Sequence, residues 1–82
     1  MANPRSLCDL PVSGVAVVQP WLAASPMGRR LLDIGFTGGA VVRCLFAAPP
    51  GEPRAYRIRG AVIALRKEDA AFIPVEECQL WD

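Results

Sequence analysis

The segment SPMGRRLLDIGFTGGAVV, residues 25–42, decides how this chain folds. Ser25 followed by Pro26 is a helix opening. A serine oxygen can accept a first-turn amide, and proline at the first helical position lacks the amide that would be orphaned there. At 100° per residue Met27, Leu31 and Ile34 fall on one stripe, so the spacing predicts a helix over Pro26–Ile34 with that stripe turned to a core. Gly35 supplies the left-handed residue that ends a helix. Thr37-Gly38-Gly39 then turns the chain into a strand over Val41–Ala47. So short a helix is marginal alone and needs a sheet to pack on.

The flanking sequence supplies that sheet. Pro11 through Gly14 turns into a first strand at Val15–Gln19, ended by Pro20, which cannot donate to a ladder. Pro49-Pro50-Gly51 and Pro53 bound a loop into a third strand at Ala55–Arg59. There Tyr56 and Ile58 share one face, and Arg57 and Arg59 the other. Gly60 bends the chain into a fourth strand, Val62–Leu65, with Ile63 and Leu65 inward. Lys67–Ala71 is one helical turn, and Ile73–Glu77 a last strand in which Pro74 belongs on an edge or at a bulge. Tyr56 and Phe72 read as core positions, as does Cys44 by alternation with Val42. Five short strands, a helix after the first and a helical turn before the last predict a mostly-β, closed or nearly closed small barrel. Residues 1–82 read as one domain, with residues 77–82 as a C-terminal tail.

Composition narrows the function. The chain has 82 residues, nine Lys and Arg against eight Asp and Glu, and a net charge of +1. So even a balance argues against nucleic acid as the partner. Apolar residues make up 52% and charged ones 21%, the balance of a folded globule. A chain this short buries only roughly 60–65% of its unfolded surface, which leaves little room for a separate deep active site. Three cysteines without a C-x-x-C pair point to a reducing cytoplasm. Residues 10–28 carry no charge, but Pro11, Gly14, Pro20 and Pro26 interrupt them, against membrane insertion. Asp9 and Pro11 likewise interrupt a signal peptide.

Four segments resemble the FeoA family of ferrous iron transport proteins: LCDLPVSG at residues 7–14, GRRLLDIGFTGGAVV at 28–42, APPGEPRAYRIRG at 48–60 and ALRKEDAAFIPV at 64–75. The resemblance implies an SH3-like β-barrel that works in the cytoplasm. It also implies a partner, the membrane transporter FeoB, which carries a G-protein-like domain and takes up ferrous iron. Gly38 stands where the family's T-P-G turn has proline, which predicts a looser turn.

Candidate partner-binding residues follow. Leu32 lies about 130° from the Met27–Leu31–Ile34 stripe, either packed under the turn near Phe36 and Trp21 or exposed for docking. Arg29 and Arg30 sit near the helix N-terminus, where the macrodipole disfavours them. An i, i+4 pair of Arg29 with Asp33 adds only a few tenths of a kcal/mol. They serve either as a solvated face or as contacts for an acidic patch. Arg43, Arg57 and Arg59 form a basic strand face, read first as protection against edge-to-edge aggregation. With six aromatics in all, the chain has too few for an SH3-type proline-peptide groove.

The chain has no histidine, no nucleophile beside an evident base and no phosphate-cradling glycine loop, so it reads as a non-enzyme that requires no cofactor. Cys8, Asp9, Glu76, Glu77 and Cys78 lie near the chain ends, which often meet in small domains. Thiolates and carboxylates there could hold zinc or ferrous iron within one chain or between two copies of a homodimer. Two readings thus stay open: a module that binds and regulates FeoB, and a small metal-binding iron carrier or sensor.

Overall fold

The computed structural model describes residues 5–78. The chain runs through strand β1 (Arg5–Ser6), a 3-10 turn (Leu7–Asp9), β2 (Val15–Val18), helix α1 (Pro26–Ile34), β3 (Val41–Ala47), β4 (Arg54–Ile58), β5 (Ala61–Leu65), helix α2 (Lys67–Ala70) and β6 (Pro74–Cys78). The six strands form one antiparallel sheet in the order β1-β6-β2-β3-β4-β5. The five strands expected from the sequence are therefore joined by a sixth. β1 is two residues long and pairs Arg5 with Val75 and Ser6 with Pro74, too short to leave an alternation signal. Glu77 and Cys78 belong to β6, because β2 pairs with that strand through Val15↔Cys78. The expected tail thus loses its first two residues to the strand, and residues 79–82 lie outside the described part.

The core lies on the inner face of the sheet. Ala16 and Val18 of β2, Val42 and Cys44 of β3, Tyr56 and Ile58 of β4 and Val75 of β6 point into it. Leu7 and Leu10 cover one end, and Leu31, Phe36 and Ile73 fill the space around them. The helix contributes less than its stripe suggests. Only Gly28 and Leu31 are buried; Met27 packs at the margin, and Ile34, expected inward, is 38% exposed. The last turn of α1 is tied down by polar contacts instead, described below. Phe72, also expected in the core, is 48% exposed. Phe72 lies in the turn that follows α2, where its N–H donates to Asp69 O at 3.2 Å, and Ile73 takes the buried position beside it, with its carbonyl accepting from Leu7 N at 2.8 Å.

Local chemistry accounts for the α1 boundaries. Ser25 Oγ accepts from Gly28 N at 3.0 Å, and Pro26 opens the helix. Gly35, at φ 137°, ends it in a conformation that L side chains rarely adopt, with its N–H donating to the Leu31 and Leu32 carbonyls. Gly38 packs closely on the preceding loop, where a Cβ would stand 3.1 Å from Pro20 Cα. A bulge at Leu45 shifts the β3–β4 register and leaves Phe46 facing solvent.

Candidate functional site

α1 carries the residues that the sequence singles out, and the fold separates them. Arg29 and Arg30 are exposed on the first turns of the helix. Both line an open groove between α1 and residues 23–25, floored by Ala23, Ala24 and Pro26 and edged by Asp33. The Arg29–Asp33 pair expected from the i, i+4 spacing is not formed. Among the described residues the single ion pair joins Arg5 Nη1 to Glu77 Oε1 at 3.1 Å. Reaching Asp33 would run against the favourable order for such pairs, in which the acid precedes the base. Leu32 is half-buried, which takes it out of the class of fully exposed docking residues.

The basic strand face is also divided. Arg43 and Arg57 are direct cross-strand partners, both exposed, on the outer face of the sheet. Like charges placed directly opposite destabilise a sheet slightly, so this pair is a local cost without a local reason. Arg59 leaves the face. β4 ends at Ile58, and Arg59 sits in the turn at φ 48°. From there its Nε donates to the Gly35 carbonyl at 3.3 Å and its Nη2 to Thr37 Oγ1 at 2.9 Å. A cation at the carbonyl end of a helix is placed where the macrodipole favours it. Arg59 therefore ties the β4–β5 turn to the end of α1. Trp21 does the same from the other side, with its indole Nε1 donating to Phe36 O at 2.8 Å.

The candidate metal residues are not gathered. The chain ends do meet through β1 and β6, yet no group of three possible ligands comes together among the described residues. Cys8 Sγ lies 2.9 Å from Ser6 Oγ and 3.9 Å from Asp9 Oδ1, while Glu77 is held by Arg5. Alternation along β6 sends Glu76 and Cys78 to one face and Glu77 to the other.

Three features escaped the sequence reading. Leu22 is 92% exposed and, with Trp21, Phe72 and Pro74, lines a shallow groove beside β1 that Arg5, Ser6 and Asp9 also line. Arg54 runs inward: its Nη1 donates to the Leu10 carbonyl, and its Nε is buried without a hydrogen-bond partner. It stands beside Cys44 and Tyr56. Burial raises the Cys44 thiol, with Arg54 opposing. Burial, with the Cys44 charge adding to it, pushes the Tyr56 phenol up to about 12 against the pull of Arg54. The third is β5, whose exposed apolar side chains read from the sequence only as an ordinary strand.

A small antiparallel β-domain of six short strands with one side-chain-capped helix is the SH3-like fold class. The FeoA domain family model matches residues 5–77, and the chain belongs to that family. Among solved structures, a zinc-complexed FeoA of Stenotrophomonas maltophilia, described as a prokaryotic SH3 domain protein, is 34% identical. It superposes with a TM-score of 0.74, over 85% of this chain and 87% of that one. A FeoA-like protein of Clostridium acetobutylicum is 28% identical, with a TM-score of 0.87 over 100% and 95%. The chain is also 42% identical over 48 residues to an Fe(2+) transport protein A/FeoB fusion protein of Porphyromonas gingivalis, matching 58% of its own length and 6% of the fusion. It thus spans only a small part of that relative.

Proposed function

We propose that this chain is a non-catalytic accessory domain of ferrous iron uptake that docks on a FeoB transporter in the cytoplasm and regulates it through its G-protein-like domain. The observation that carries this reading is the cationic opening of α1. Arg29 and Arg30 are exposed beside an open groove, have no ion-pair partner among the described residues, and lie where the macrodipole gives them no support. An acidic surface on a partner satisfies them. The fused relative, in which both proteins are one chain, supports the choice of FeoB as that partner.

The test is co-purification of the full chain with the cytoplasmic domain of FeoB. The R29E/R30E double variant keeps its fold and loses the complex. Leu32→Glu, at a half-buried position, lowers thermal stability as well. GTP hydrolysis by the same FeoB domain, measured with and without the full chain, reads out regulation. A complex that survives R29E/R30E removes α1 as the docking element, and a hydrolysis rate that the chain leaves unchanged removes regulation through that domain.

A further inference from the structure

β5 is an edge strand of the sheet, paired with β4 alone. Its five residues, Ala61–Leu65, contain no charge and no proline, and its register with β4 runs without a bulge. Those are the devices that natural sheets use to blunt an edge, and β5 has none of them within its span. Ile58 and Ala61 close the two-residue Arg59-Gly60 turn, both of whose residues have positive φ. Alternation along an antiparallel ladder then aims the main-chain N–H and C=O groups of Val62 and Ala64 away from β4. Their side chains share the outer face, where Val62 is 55% exposed.

Charge identifies what this edge accepts. Register partners across the sheet place Val15, Arg43, Arg57 and Val62 in one row, so two guanidinium groups with no ion-pair partner among the described residues lead up to the edge. Arg66 and Lys67 follow β5 directly and are also exposed. A second copy fits badly: β5 of another chain is wholly uncharged and brings no carboxylate to the Arg43–Arg57 row. We infer that the free edge of β5 takes on an added strand, an extended apolar segment of a protein partner that carries carboxylates at its ends. Main-chain bonds give such pairing its affinity, and side chains at alternate positions give it specificity. The inference rests on the docking reading above and adds to it a second contact, on the sheet.

The probe is a seven-residue peptide of alternating valine and threonine with glutamate at each end, beside a counterpart ended by lysine. Titrated into the full-length protein and followed by backbone amide NMR, the glutamate peptide shifts Val62 and Ala64 and binds several-fold more tightly than the lysine peptide. Ala64→Pro removes an outward N–H without touching the ladder and weakens binding about fivefold, the equivalent of one hydrogen bond. Val62→Glu, at an exposed side chain beside Arg57, sets a negative charge on the edge, weakens binding of the glutamate peptide with the fold intact, and covers the case in which the proline variant unfolds. Equal binding of the two peptides, no binding, or shifts confined to other elements overturns the inference. So does a dimer of the free protein that Ala64→Pro dissociates, since a second copy would then own the edge. If the FeoB cytoplasmic domain binds the wild-type chain and A64P equally while the peptides fail, the edge is wrong and the docking reading stands. If the glutamate peptide binds and FeoB does not, the edge stands and the partner is another protein.

Discussion

Tyr56 is the residue whose surroundings leave the clearest mark on pH dependence. Its phenol is buried, beside Cys44, and its pKa is pushed up to about 12 from an ordinary value of about 10. The folded state therefore holds the proton more tightly than the unfolded state. That preference contributes fully below pH ~10 and is lost as pH rises through the folded value. Denaturant titrations should show stability falling by on the order of 2 kcal/mol between about pH 10 and pH 12. Tyr56→Phe removes this component, so its curve stays flatter over the same range; parallel curves for the two proteins would show that Tyr56 does not carry the effect. The sequence placed Tyr56 and Cys44 inward because strand alternation is a strong local signal. It held no comparable sign that Arg54 would turn in beside them, since that depends on which loop carbonyl, here that of Leu10, comes within reach.

At the scale of elements, α1 and the β4–β5 turn are coupled through one side chain. Arg59→Ala loses both of its hydrogen bonds to the Gly35–Thr37 segment yet keeps a side chain at a positive φ, and should cost about 1–2 kcal/mol. Arg59→Gly loses the same bonds but relieves the backbone, and should recover several tenths of that loss. Thermal unfolding of the two variants side by side checks the order; equal stability to wild type would mean that the tie carries no weight. Ser25→Ala should cost about 1 kcal/mol through the lost cap. The bounds of α1 were legible because Ser25-Pro26 and Gly35 are local signals. Which face it buries was only partly so. The stripe through Met27, Leu31 and Ile34 implied uniform packing along the helix, whereas α1 meets the core through Gly28, Leu31 and the margin of Met27, and leaves Ile34 exposed. Phe72 and Ile73 show the same limit: of two adjacent apolar residues only Ile73 is buried, and the turn that ends α2 decides which one.

For the whole molecule, the succession of short strands along the chain follows from turn residues, and the family from four matching segments. The short β1 and the free edge at β5 did not, because both are properties of strand order and not of any one strand. The candidate site was legible in its residue types more than in its arrangement. Among the described residues Arg29 and Arg30 are exposed without the Asp33 pair that the spacing allowed, Arg59 is engaged with the helix end, and the acidic and thiol groups near the chain ends stay dispersed. A surface of this kind should bind through charge, and so weaken as salt screens it. The most direct test is calorimetric titration of the full chain into the FeoB cytoplasmic domain at low and at physiological salt. Saturable binding that weakens with salt and drops at least about tenfold in R29E/R30E is the predicted result; no saturable binding, or equal affinity for the wild type and the double variant, would contradict it.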